Sequence, residues 1–338
     1  MKGSYVTMVK IVDVAKKANV STATVSRVLT NSSAVKKDTA EKVLAAIEAL
    51  NYQPNLLARQ LRRMETKTIL VVVPDITNTF FSKVLRGIEF VANQSGYQVL
   101  LGDSLNDSKK ESDYLHLLRQ RKADGMILLT ARLSEKEIEE IALEFPVVLA
   151  CEYTPGLNVP TVSIDNVQSA KKATDYLVSL GYKRIGFISG PFDVVLGRDR
   201  LEGFRQSMIE NKLGEKDLLV QEGDFTFESG YAAMGTFLDM QEPPEAIFAA
   251  NDEMAIGAIK AIHSKGLKVP NDISVVGFDD IAFASIFEPS LTTIAQPSFE
   301  MGETAMKLLI KQLNKEEIEK KQYILEDKLI IRETSRKC

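Results

Sequence analysis

Apolar residues recur at helical spacing through the first fifty positions. In residues 10–18, KIVDVAKKA, Ile11, Val14, Ala15 and Ala18 stand at i, i+3, i+4 and i+7, one face of a short helix. Asn19 comes next, a residue that tolerates the left-handed backbone of a tight turn. Ser21 is a good N-cap, so a second helix is predicted from Thr22 to about Leu29. Val25, Val28 and Leu29 form its inward face, and Thr22, Ala23, Ser26 and Arg27 face out. A third helix is predicted from about Lys37 to Leu50, with Val43, Leu44, Ile47 and Leu50 inward. Pro54 then ends it, and Asn55 can cap the segment after it. The stretch LLARQLRR has helical spacing at Leu57 and Leu61, with Ala58 between them, but eight residues are too few for an independently stable helix.

From residue 68 the period changes. Short apolar runs (Ile69–Val73, Val99–Leu101, Met126–Leu129, Val147–Ala150, Ile185–Ile188, Ile247–Ala250 and Ser274–Val276) alternate with amphipathic stretches. The latter lie near 79–95, 107–121, 166–180, 198–211, 228–239, 252–264 and 298–313. Buried strands alternating with helices imply α/β architecture, with parallel sheets covered on both faces. A Pro/Gly interruption near 155–165 splits the pattern into two similar lobes. The expected organisation is a helical head over 8–53, a hinge or linker over 54–66 and a two-lobed body over 67–338.

Charge sharpens that division. The chain's net charge of −4 argues against a nucleic-acid partner when taken whole. Residues 1–65, however, hold eleven lysines and arginines against five acids, and the remainder holds 31 against 41. A basic module joined to an acidic one fits this asymmetry, and so does a solvated basic helix face.

Composition also removes chemistry. Two histidines, His116 and His263, and two cysteines, Cys151 and Cys338, exclude a histidine-rich metal site, a cysteine-rich zinc site and a disulfide framework. No metal or cofactor is expected. No apolar stretch approaches the roughly 18 residues of a membrane span. Residues 1–20 lack the apolar run of a secretory leader, so a cytoplasmic protein with no membrane partner is expected. Phosphate-loop, dinucleotide, nucleophile-elbow and zinc-protease motifs are missing, and no enzyme is expected.

Three short helices, the first two joined by a tight turn, describe a helix-turn-helix unit, with a generic three-helix bundle as the alternative. The outward face of the second helix is short and polar and ends in Arg27, whose fork can pair with guanine in a major groove. Thr24 and Ser26 would position the unit on phosphates. In the body, polar residues come directly after the strands, where open α/β sheets bind ligands. They include Asp75, Asp165, Arg198-Asp199-Arg200, Asp224-Phe225, Asn251-Asp252, Asp279-Asp280 and Gln296. Such groups read hydroxyls, and phenylalanine covers a ring face, which is sugar or nucleoside chemistry. Asp252 is equally an N-cap, Asp280 a turn residue and Phe80 a core residue. A sugar-binding receptor without DNA binding is the rival reading, and a doubly wound enzyme the other.

The segments IVDVAKKANVSTATVSRVL and LNYQPNLLARQLRR resemble the DNA-binding head of the lactose/galactose repressor family. Further marks are PDITNTFF, SIDN, RLEGF, GDFTFESG, ANDEMAIGA, VGFDD and LTTIAQP, in order and across nearly the whole chain. The resemblance implies a small all-α helix-turn-helix head and a two-lobed α/β effector domain like the periplasmic sugar-binding proteins. It implies a transcriptional repressor that binds palindromic double-stranded operator DNA as a homodimer and answers to a small-molecule effector. Base readers then fall on Thr22, Ala23 and Arg27, and a hinge of Asn55, Ala58 and Leu61 enters the minor groove, where Leu61 wedges a base step. Phe80 or Phe81 with Phe225 would sandwich the effector's ring, and Asp165, Arg200, Asn251 and Asp279 would bind hydroxyls. STATVSR, KTILVVVPDI, and PTVSIDN with GDFTFESG are most similar to a nucleoside-responsive member, which implies a nucleoside effector. Apolar Val194 and Leu196 disfavour a purine. The tail from Arg332 to Cys338 has no leucine heptads, so a dimer rather than a coiled-coil tetramer is expected.

Overall fold

The computed structural model describes residues 9–30, 35–52, 65–154, 156–214 and 218–335. Contacts divide the chain after Glu65 into a head and a body. The predicted hinge residues Asn55, Ala58 and Leu61 lie outside the described residues.

The head contains α1 (Ile11–Ala18), α2 (Thr22–Thr30) and α3 (Lys37–Ala49). Asn19 closes α1 at φ 52 and ψ 50, the left-handed conformation that lets the chain turn at once into α2. The Ser21 hydroxyl accepts the Thr24 backbone N–H at 3.1 Å and caps α2. Val14, Ala15, Val25, Val28 and Val43 are buried in a small common core. Leu44 corrects the expected inward face, because it is 51% exposed. The buried stripe of α3 runs through Ala40, Val43 and Ala46, and one residue beyond Val43 turns the side chain about 100° away from it.

The body begins with β1 (Thr68–Val73), α4 (Phe80–Gln94), β2 (Gln98–Asp103), α5 (Ser108–Arg119), β3 (Gly125–Leu129), α6 (Glu135–Glu144), β4 (Val147–Ala150) and β5 (Thr161–Ile164). It continues with α7 (Asn166–Ser179), β6 (Ile185–Ser189), α8 (Val195–Glu210), β7 (Leu219–Glu222), α9 (Phe227–Leu238), β8 (Ala246–Ala249), α10 (Asp252–Ser264), β9 (Ser274–Asp279) and α11 (Ala282–Ile286). It closes with β10 (Thr292–Ala295), α12 (Ser298–Leu313), β11 (Gln322–Leu325), β12 (Lys328–Ile330) and a 3₁₀ turn at Glu333–Ser335.

Two six-stranded sheets result, ordered β11-β5-β4-β3-β1-β2 and β12-β10-β9-β8-β6-β7. Pairing is parallel except for β12 against β10. The two orders are the same path taken twice, and each reverses beside its first strand. These switch points lie between β1 and β3 and between β6 and β8, the places where such sheets open a crevice. The continuous apolar runs of β1, β3, β4, β8 and β9 are buried, as strands covered by helices on both faces must be. Helices α4 and α12 approach closely enough that a β-carbon on Gly87 would strike the Phe299 carbonyl, and one on Gly302 the Val84 carbonyl.

Several elements go beyond the apolar pattern. Strands β5, β7, β10, β11 and β12 and helices α6 and α11 have no counterpart among the predicted runs. The interruption near 155–165 is also not a simple boundary. The chain passes to the second lobe at Asp165, returns at Gln296-Pro297 to supply α12 and β11, and passes back at Glu326-Asp327 to add β12. Among the described residues no helix is long and apolar enough to cross a membrane.

Candidate functional site

On the head, Thr22, Ala23 and Arg27 are exposed on α2, whereas Thr24 and Ser26 are half-buried. The Thr24 hydroxyl lies 2.9 Å from that of Ser21, so it is engaged in the helix cap. The exposed side of α2 is therefore short, apart from the one long cation.

In the body a cleft opens between the lobes at the carboxyl ends of both sheets. Asp75, Phe80, Phe81, Arg200, Phe225, Asn251, Asp279 and Gln296 all line it. Asp165 does not. Its carboxylate accepts the Gln168 backbone N–H at 3.0 Å and caps α7.

Arg200 organises the second-lobe wall. It projects from α8, which starts at Val195, three residues before the predicted start, so Arg198, Asp199 and Arg200 belong to the helix and not to a strand-end loop. Val194 is extended at φ −94 and ψ 134, which brings Leu196 and Gly197 into buried positions in the first turn. Arg200 is only 3% exposed. It donates to Asn166 Oδ1 at 3.0 Å and to the Ala250 carbonyl, lies 3.7 Å from Asp279 Oδ1 and sits 3.8 Å above the Phe278 ring. Gln296 donates to the same Asp279 oxygen at 2.6 Å. Burial pushes Asp279 up to about 6, against the pull of Arg200 and Gln296. Burial also lowers Arg200 from its ordinary value.

Neighbouring residues are set by turns and caps. Asn251, not Asp252, caps α10 by accepting the Met254 N–H, and its amide donates to the Phe225 carbonyl at 2.8 Å. Asp252 lies beneath, accepting from the Ile281 N–H and the Thr293 hydroxyl, and burial raises it well above the usual carboxylate range. Asp280 pairs with Arg332 at 2.7 Å. Phe225 has φ 70 and lays its ring against Gly190, where a β-carbon would collide with it. Across the cleft, Phe80 and Phe81 meet edge to face at 5.2 Å.

The sequence pattern points to Asp75, Phe80 and Phe81 on the first lobe but not to the rest of that wall. Thr130 and Arg132, after β3, and Cys151, after β4, also line the cleft. Thr130 and Cys151 both hold φ 73, a costly backbone conformation for residues with a β-carbon. Glu152 Oε1 accepts the Ala131 N–H and Glu111 Oε2 accepts the Arg132 N–H, each at 2.6 Å. Burial pushes both carboxyls up to about 7. Burial, then the nearby Asp279 and Asp75 charges, do the same to Glu253 at the cleft edge. The only signal for the rest of that wall in the sequence is a polar pair after an apolar run. Among the described residues no group of three or more His, Cys, Asp or Glu side chains could hold a metal ion.

Similarity to known proteins respects the same division. Residues 10–55 match the family described as bacterial regulatory proteins, lacI family, and residues 174–335 match the periplasmic binding protein-like domain. The HTH-type transcriptional repressor CytR of Escherichia coli (strain K12) is 42% identical, over 96% of this chain and 95% of that protein. Catabolite control protein A of Priestia megaterium is 38% identical, over 92% of this chain and 94% of its own. Among solved structures, the Lac repressor dimer bound to operator and the anti-inducer ONPF matches with a TM-score of 0.88 and 30% identity, covering 97% of this chain and 99% of that one.

Proposed function

The chain belongs to the lacI family of bacterial regulatory proteins, and from that premise we propose that it represses transcription from a palindromic operator as a homodimer, under control of a nucleoside or sugar held in the interlobe cleft. It is a ligand-responsive DNA-binding regulator and not an enzyme: its relatives are transcriptional repressors and regulators. The receptor alternative loses its support once residues 10–55 match a DNA-binding family.

The observation that carries the effector reading is the web around Arg200. A buried cation, Asp279, Gln296 and Asn251 converge with Phe80, Phe81 and Phe225 on one space. Directional polar groups at one wall with aromatic rings around them suit a polyhydroxylated ligand bearing a flat ring. A nucleoside has both parts, and likeness to CytR favours a cytidine-like one.

On the head, Arg27 would read a guanine, Thr22 and Ala23 would admit α2 to the major groove, and Thr24 and Ser26 would lie along phosphates. Asn55, Ala58 and Leu61 would form the minor-groove hinge. A twofold dimer matches a palindrome. The effector's coupling to operator affinity is reciprocal, so operator DNA alters effector affinity by the same factor. Such a protein works in the cytoplasm, where its operator lies.

Fluorescence anisotropy on an operator fragment from the gene's own upstream region tests this, titrated with a panel of nucleosides and sugars. The expected result is saturable binding with dimer stoichiometry, shifted by a nucleoside, and a loss of roughly 1–3 kcal/mol in Arg27→Ala confined to one base position. Unchanged affinity in that variant, or no response to the panel, overturns the assignment.

A further inference from the structure

The cleft has a second chamber, lined by Glu152, Tyr153 and Arg198 among others, and Arg132 lines both chambers. Arg132 is held with care. Its own N–H is taken by Glu111, and the preceding Ala131 N–H by Glu152, so two buried carboxylates clamp consecutive amides of one loop. Its guanidinium is more loosely engaged: 3.2 Å to the Ala131 carbonyl, 3.4 Å to Asn106 Oδ1 and 3.7 Å to Glu152 Oε1. Only the first of these is within the usual hydrogen-bond range, so most of the five guanidinium donors can turn to a ligand.

Beside it, Glu152 has a side chain only 4% exposed. Its Oε1 serves the loop, but its Oε2 is buried with no hydrogen-bond partner among the described residues. The Thr130 hydroxyl, at the start of the same loop, is in the same state. An unpaired buried acceptor is costly, and its cost is removed by a ligand that donates to it. The wall thus offers cationic donors next to an anionic acceptor.

We propose that Arg132 and Glu152 read the base edge of the effector, the guanidinium donating to a ring nitrogen and Glu152 Oε2 accepting from the adjacent exocyclic amino group. The matching ligand edge is an amidine, a ring acceptor beside an amino donor. Cytosine and adenine carry it. Uracil and hypoxanthine reverse it, setting a ring N–H against the arginine and a carbonyl against the carboxylate. The pair selects amino over oxo bases, while the Arg200–Asp279 wall reads the hydroxyls. This assignment rests on the nucleoside reading of the cleft.

Isothermal titration of the full chain with cytidine, uridine, adenosine and inosine tests it, at pH 8 so that Glu152, raised to about 7 by burial, is ionised. Wild type is expected to favour cytidine over uridine, or adenosine over inosine, by tenfold or more, because a site built to hydrogen-bond rejects the mismatched analogue. The two comparisons separate a pyrimidine ligand from a purine one. Glu152→Gln, whose amide can donate or accept, should bring that ratio near one, and Arg132→Ala should lower it too. Loss of affinity for all four in equal proportion would mean that the two residues only shape the loop, and would overturn the proposal. So would an unchanged ratio in both variants. If Glu152→Gln does not fold, Arg132→Ala alone decides by the same ratio. Binding of a free sugar but of no nucleoside by wild type overturns the nucleoside reading itself, and the edge assignment with it.

Discussion

Each lobe sets an arginine of the cleft beside two buried carboxylates, yet the two sets are built differently. In the second lobe, Arg200 is buried, doubly hydrogen-bonded and stacked on Phe278, with Asp279 beside it and Asp252 beneath. In the first lobe, Arg132 is one-fifth exposed and its guanidinium touches its neighbours only at 3.2–3.7 Å, while Glu111 and Glu152 spend one oxygen each on backbone amides. One arginine is part of the core and the other rests on it. The same topology therefore gives one wall whose arginine is buried and closely bonded and one whose guanidinium is partly exposed and held by longer contacts.

The contrast can be broken most directly at Arg200. Arg200→Met should cost roughly 3–5 kcal/mol, since it strands Asp279 in the interior without its cation. A shift in the urea midpoint with an unchanged slope would measure it. A loss below about 1 kcal/mol would mean that the second wall's arginine is no more firmly held than the first's.

Protonation probes the carboxylates. Glu111 and Glu152 are raised to about 7, so the folded chain binds these protons more tightly than the unfolded chain does. Their charged forms therefore penalise the fold above pH 7, and the penalty is relieved as pH falls from 7 toward the usual carboxylate range. Lowering the pH from 8 to 6 should raise stability by on the order of 2 kcal/mol for the pair, and Tm by several degrees. In Glu111→Gln/Glu152→Gln the rise should shrink by that amount, leaving the share of Glu253 and Asp279. A rise of the same size in the double variant would assign the effect to Asp279 and Glu253 instead.

The smallest effect is expected at Arg132. Arg132→Met should change stability by less than about 1 kcal/mol, as is usual for partly exposed ion pairs with long contacts. A loss as large as that of Arg200→Met would erase the distinction between the walls.

The two walls also differ in how far the sequence discloses them. Asn251 and Asp279 stand at the ends of apolar runs long enough to mark a strand, and Phe225 and Arg200 lie within segments that resemble a known family. Thr130 and Arg132 also come after an apolar run, but the next helix, EKEIEEIALE, buries only Ile138 and Ile141 and hides the loop between. What holds Arg132 is distant in sequence: Glu111 and Glu152 stand 21 and 20 positions away, and no local pattern connects them. Strand β7, LVQE, is half-buried at a sheet edge, and β10, TTIA, carries two threonines, so neither has the apolar run that exposes the central strands. In the head the opposite holds. Asn19 and Ser21 act on their own turn and cap, so their roles are legible directly, whereas Leu44 is misjudged because its exposure depends on where the other helices lie.

The three passages of the chain between the lobes set a condition on its synthesis. The first lobe needs α12 and β11, and α12 is encoded some 130 residues after its fifth strand, beyond nearly all of the second lobe. Until they emerge from the ribosome, Gly87 on α4 has no α12 to pack against, and β5 stands as an open edge. Domains that form a single stretch of chain can fold while the rest is still being made. This body cannot finish its first lobe before its second is nearly complete. A nascent chain halted near residue 290 holds an unfinished first sheet, and the two lobes are completed together, once α12, β11 and β12 have emerged.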